Sequence, residues 1–127
     1  MKSRPDVLEG KSPRIETGCG WLYVTINTVK DKVVEISASL GKSGGCASAN
    51  LQSITQLINT SIENGTELDA IVKILRGQRC HNQIISQGKE VYSCPDGIAQ
   101  CLEKYLPKKD IKDIKEEVKE LIDKEKK

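Results

Sequence analysis

Leu22, Val24 and Ile26 alternate with Trp21, Tyr23 and Thr25, the period-two signature of a strand with one buried face. A second run places Val34, Ile36, Ala38 and Leu40 on one face, and Lys30-Asp31-Lys32 supplies a turn between the two, so an antiparallel hairpin is expected. The period then changes. Ala47, Leu51, Ile54, Ile58 and Ile62 recur every three or four residues until Asn64-Gly65, which predicts an amphipathic helix over residues 46–64. Thr66-Glu67-Leu68-Asp69 resembles a capping box that opens a shorter helix over 67–76, with Leu68, Ile71, Val72 and Leu75 facing inward. Ile84-Ile85 and Val91-Tyr92 flank Gln87-Gly88 and predict a second small hairpin. Ser93-Cys94-Pro95-Asp96 then caps a helix over 95–105 that carries Ile98, Cys101, Leu102 and Tyr105, with proline in the first turn where its missing N–H does no harm.

The two ends read differently. Residues 1–20 are rich in Pro, Gly and charge and suggest an extended arm that closes on Thr17-Gly18-Cys19-Gly20. Of the last 20 residues, 8 are Lys and 7 are Asp or Glu, yet Ile111, Ile114, Val118 and Leu121 keep a three-four spacing. This predicts a charged amphipathic helix, too short for a stable coiled coil alone, that packs on its own domain or joins two copies as a homodimer. The pattern therefore gives a domain with an extended arm over 1–107 and a helical tail over 108–127. The fold class is α+β, a small antiparallel sheet of hairpins covered on one face by helices.

Composition narrows what such a domain can do. With 127 residues and 14.0 kDa there is room for one domain and an extension. Aromatic residues are 3% with no Phe, so Ile, Leu, Val and Ala must build the core and base-stacking platforms are scarce. A net charge of +2, from 20 basic and 18 acidic residues, offers no basic stripe for counterion release, so nucleic acid is not an expected partner. Met1-Lys2-Ser3-Arg4-Pro5-Asp6 has no apolar run behind it and no stretch reaches transmembrane length, so a cytoplasmic location away from membranes is expected. In that reducing compartment, five cysteines are metal ligands, redox groups or packing rather than a disulfide framework.

Four of those cysteines sit at turn signals: Gly18-Cys19-Gly20, Gly44-Gly45-Cys46, Arg79-Cys80-His81 and Ser93-Cys94-Pro95. Glycine neighbours let a backbone bend around an ion, and four thiolates complete a tetrahedral zinc site, although the separations of 27, 34 and 14 residues contain no C-x-x-C knuckle. His81 is the alternative fourth ligand of a mixed site. Cys101 lies on the apolar face of its helix and is assigned to the core. Cys46 and Cys94 also stand at predicted helix N-termini, where the dipole lowers a thiol's pKa, so a thiol redox protein attacking through either is the second hypothesis. Gly41-Lys42-Ser43-Gly44-Gly45, between a strand and a helix, offers a third, an anion loop for a nucleotide or phosphate sensor. It is not a Walker A loop, because Ile36 stands where the leading glycine is required. With a single His, no Ser-His-Asp grouping is readable, and catalysis by this chain alone is not expected.

Arg4-Pro5, Leu8-Glu9-Gly10, Thr17-Gly18-Cys19-Gly20, Leu22-Tyr23-Val24-Thr25-Ile26-Asn27, Gly41-Lys42-Ser43-Gly44-Gly45-Cys46 and Ser93-Cys94-Pro95-Asp96 together resemble the TSCPD domain. The match runs in order from Arg4 to Tyr105, with Tyr92 at the threonine position of the eponymous motif. That domain is found free-standing and at the C-terminal end of adenosylcobalamin-dependent (class II) ribonucleotide reductases. The resemblance implies an association with deoxyribonucleotide synthesis, a reductase or another protein as partner, and Cys19, Cys46, Cys80 and Cys94 as a metal site. It does not imply ribonucleotide reduction: nothing here matches the reductase barrel, and adenosylcobalamin is not expected to bind this chain.

Overall fold

The computed structural model describes residues 4–41, 45–80, 83–86, 88–106 and 119, without the side chains of residues 45–47, 86 and 89. Apart from residue 119, the tail helix expected over 108–127 lies outside the described residues. The elements in chain order are β1 (Glu9–Lys11), β2 (Arg14–Thr17), β3 (Gly20–Val29), β4 (Lys32–Leu40), α1 (Gly45–Glu63), α2 (Leu68–Leu75), β5 (Ile84–Ser86), β6 (Lys89–Val91) and α3 (Cys94–Leu102), which runs on into a single 3-10 turn at Glu103–Tyr105.

The long alternating run becomes β3, the centre of the main sheet. On one edge β4 pairs antiparallel with it, placing Leu22 opposite Leu40, Val24 opposite Ala38 and Ile26 opposite Ile36. Lys30 and Asp31 take φ of 51° and 65°, the left-handed pair that a two-residue hairpin turn needs to match the twist of its strands. Asn27 faces Glu35 and Thr28 faces Val33, so Val34 is the extra residue of a bulge. The bulge reverses the alternation, and Val33, rather than the expected Val34, packs against the core.

On the other edge of β3 lie β1 and β2, end to end, with Gly10 opposite Asn27 and Ile15 opposite Leu22. Much of the expected extended arm is therefore a pair of edge strands. They are interrupted at Ser12-Pro13 because proline has no N–H to give, but the Pro13 carbonyl still accepts from the Val24 N–H at 2.9 Å.

Helices cover one face of this sheet. Leu22, Val24, Ile26 and Ile36 meet Leu51 and Ile58 of α1 and Ile98 and Leu102 of α3, while Ile71 and Val72 bring in α2. At β4, Asn59 of α1 acts as a substitute strand: its amide accepts from the Ile36 N–H at 2.8 Å and donates to the Ile36 carbonyl at 2.9 Å, closing the sheet edge at that residue. Cys101 is buried in this core, as its helical position predicts. The capping box does not form: Glu67 is the N-cap of α2 and makes no side-chain cap bond, while Asp69 accepts from the adjacent Ala70 N–H. Ser93 does cap α3, accepting from the Asp96 N–H at 3.1 Å.

Candidate functional site

The end of the sheet where β2 turns into β3 is also where α3 begins. Thr17 closes β2, buried at 4% exposure, and its hydroxyl donates to the Gly20 carbonyl at 2.8 Å while accepting from the Cys19 N–H at 3.2 Å. The turn thereby holds Cys19 out at the surface. The same hydroxyl accepts from the Cys94 thiol at 3.8 Å, so one threonine joins a turn and a helix start 77 residues apart in the chain. Gly97 allows the approach: a Cβ there would stand 3.1 Å from Leu22 Cδ2 and 3.3 Å from Ile15 Cγ2.

Burial pushes the Cys94 thiol above its ordinary pKa; the Thr17 hydrogen bond opposes this, and Cys19, by hydrogen bond and charge, and Cys80, by charge, push it further up. Three of the four turn-placed cysteines thus share one neighbourhood. The net direction is upward, opposite to the lowering expected of a thiol at a helix N-terminus, with desolvation the largest cause. Cys80 is half-buried and its N–H donates to the Tyr92 carbonyl at 2.9 Å, which holds it alongside the segment leading into Cys94.

Cys46 falls in the first turn of α1, and its thiol lies outside the described residues. Backbone topology still locates it. The Gly41 N–H donates to the Trp21 carbonyl at 3.1 Å, so β4 delivers the chain to the Cys19 end of β3, and α1 opens four residues later at Gly45. His81 lies outside the described residues, as do Lys42, Ser43 and Gly44 of the expected anion loop between Gly41 and Gly45. Among the described residues, no group of three or more His, Cys, Asp or Glu side chains is arranged to hold a metal ion. Among the described residues, Cys19 acts on Cys94 by hydrogen bond and charge, and Cys80 acts on it by charge.

Sequence reasoning missed the polar cluster behind the thiols. Asp96 is wholly buried, and its Oδ1 accepts from the Arg76 guanidinium at 2.7 Å and the Gly77 N–H at 2.9 Å. Its Oδ2 accepts from the Tyr92 N–H at 3.1 Å and the Gln100 amide at 3.0 Å. Arg76 also reaches Glu103 at 2.6 Å. Burial lowers the Arg76 pKa, but the charges and hydrogen bonds of Asp96 and Glu103 together outweigh it and leave the net shift upward. The available signal was Asp96 in the first turn of a helix, which reads equally well as a partner for the helix dipole.

No helix among the described residues is long and apolar enough to cross a membrane. Neither the curated proteins nor the solved structures include a significant match to the chain. The profile of the TSCPD domain does match, over residues 1–106. Those residues contain the whole sheet, the three described helices and all four turn-placed cysteines, and the chain belongs to the TSCPD domain family.

Proposed function

We propose that this chain is an accessory module of the ribonucleotide reductase context in which its family occurs, and that Cys19, Cys46, Cys80 and Cys94 hold a structural zinc. The single observation that supports it most is the Thr17 hydroxyl, which joins the Cys19 turn to the Cys94 thiol, with Cys80 close enough to act on that thiol by charge. The donor set suits a soft divalent ion. Thiolates select zinc over magnesium or calcium, and the topology brings the first turn of α1, with Cys46, to the same end. Held by these cysteines, a zinc ion would supply no redox chemistry; Cys19, Cys46, Cys80 and Cys94 would tie the β2–β3 turn, α1, the segment before β5 and the start of α3 together through it. Such sites contribute about 10–16 kcal/mol of apparent binding energy, which would add to an aliphatic core of Ile, Leu and Val. The chain does not reduce ribonucleotides on its own in this reading, adenosylcobalamin stays with the reductase core, and the partner is a reductase or a protein that serves one.

The test is metal analysis of the full chain purified without an affinity tag. About one zinc per chain, with a melting temperature that falls on chelation, is the expected result. No metal, together with free reaction of all four thiols in the folded protein, overturns the zinc reading. A second reading, a thiol redox protein exchanging disulfides with a partner, draws on the same Cys19–Cys94 contact. It requires one of these thiols to alkylate far faster than the rest near neutral pH, whereas uniformly slow labelling goes with metal or burial.

A further inference from the structure

A buried carboxylate in a small domain is a costly choice, since an apolar residue of similar volume would often serve the core as well. Asp96 is wholly exhausted by its four donors, and two of these are backbone N–H groups, Gly77 and Tyr92. Those two groups flank the cysteines. Gly77 ends α2 with φ of 80° and lies three residues before Cys80, and Tyr92 lies two residues before Cys94. The loop is closed by the Cys80 N–H, which donates to the Tyr92 carbonyl at 2.9 Å. Starting at the carboxylate, one can walk through Gly77 to Cys80, across to Tyr92 and back to Asp96 without leaving hydrogen bonds and short chain segments. On its own helix, Asp96 is fixed by its N–H to the Ser93 hydroxyl, one residue from Cys94.

We propose that Asp96 is the positioning residue of the thiol site: its carboxylate sets the Cys80 segment against the Cys94 helix start. A side chain at this position that could not accept from both N–H groups would release Cys80 while leaving Cys94 on Thr17. What the assembled thiols hold rests on the zinc reading above; where Asp96 puts them does not.

The experiment compares the full-length chain with Asp96→Asn and with Ile58→Ala, a core truncation in the body of α1. Metal-free protein is treated with dibromobimane, which joins neighbouring thiols, and the links are mapped by mass spectrometry. Zinc affinity is measured in parallel by competition with a chromophoric chelator. In the parent chain, links from Cys80 to Cys94 or Cys19 are expected beside the Cys19–Cys94 link. In D96N the Cys80 links should fall by at least about tenfold with Cys19–Cys94 retained, and zinc affinity should drop by about 10- to 100-fold, as for other residues that orient metal ligands. I58A should melt earlier but keep both the link pattern and the affinity, which separates positioning from stability. If D96N does not fold, Gln100→Leu, which removes one donor from Oδ2 and leaves every charge paired, should show a smaller loss of Cys80 links in the same direction. Parent-like links and affinity in the variant that folds, no Cys80 link in the parent chain, or an equal loss in I58A would each overturn the proposal. Loss of the Cys80 links in D96N from a parent chain that binds no zinc would uphold the positioning role while removing the zinc reading.

Discussion

Two arginine–carboxylate clusters among the described residues have nearly the same contact distances and opposite surroundings. Arg4, ahead of β1, reaches Glu35 of β4 at 2.8 and 3.2 Å, with side chains 42% and 30% exposed. Arg76 reaches Asp96 at 2.7 Å and Glu103 at 2.6 Å, with Arg76 15% exposed and Asp96 fully enclosed. Distance therefore does not distinguish them; the availability of water does. When the outer pair opens, solvent takes over its hydrogen bonds, whereas losing one member of the inner cluster leaves charge and backbone N–H groups with nothing to replace it.

The comparison is broken most forcefully at Asp96. Replacing it with Ala should cost about 3–5 kcal/mol in urea unfolding, because a largely enclosed Arg76 is left with only Glu103 and the N–H groups of Gly77 and Tyr92 lose their acceptor. Neutralising the whole cluster (Arg76→Met, Asp96→Asn and Glu103→Gln together) should recover part of that loss. It should not recover all of it, since an amide offers one acceptor oxygen where the carboxylate serves both N–H groups with two. A triple variant no more stable than Asp96→Ala would show that unpaired charge is not the main cost.

The same contrast explains what could be read from the chain beforehand. Hydrophobic periodicity is a local property, so β3, β4 and the three helices, including the inward faces of Leu51, Ile58, Ile71 and Ile98, were legible to within three residues at their ends. β1 and β2 were not, because edge strands of three and four residues broken by Pro13 are too short to show a period and are defined by their pairing with β3. The one-residue change of face at Val34 was hidden for a related reason: a bulge is a relation between two strands. Turn placement singled out Cys19 and Cys94 but could not say that one hydroxyl, Thr17, takes up both the Cys19 N–H and a thiol 77 residues further on. Asp96 was invisible as a clamp because its partners Arg76 and Gly77 are 20 and 19 residues away.

A smaller effect is expected where the inner region depends on shape rather than charge. Gly97→Ala puts a methyl group 3.1 Å from Leu22 Cδ2 and 3.3 Å from Ile15 Cγ2, contacts that force α3 away from β2 and β3. The cost should be about 1–3 kcal/mol, the usual range for overpacking in a closed core. Because α3 carries Cys94 against Thr17, the variant should also expose the Cys94 thiol, read as faster alkylation of the metal-free protein. Unchanged stability would mean that the helix start has slack, and that Asp96 rather than packing alone holds it in place.

The smallest effect belongs to the outer pair, and its pH dependence makes it visible. The hydrogen bond from Arg4 holds the Glu35 carboxyl below its ordinary value of 4.5, against a weaker upward push from burial and with help from Asn27. A carboxylate with a lowered folded pKa contributes stability above its unfolded pKa and loses it as the pH falls through the folded one. Arg4→Ala should therefore lower the melting temperature slightly at neutral pH, and the difference from the parent chain should vanish below the folded pKa of Glu35. About 1 M salt should also erase it at neutral pH, since the Debye length there is about 3 Å. The Asp96→Ala penalty should survive the same salt, because ions cannot reach an enclosed carboxylate. An Arg4→Ala penalty that persists in high salt would mean that the outer pair is shielded in solution by something other than the described residues, and the contrast between the two clusters would then be one of partners rather than of water.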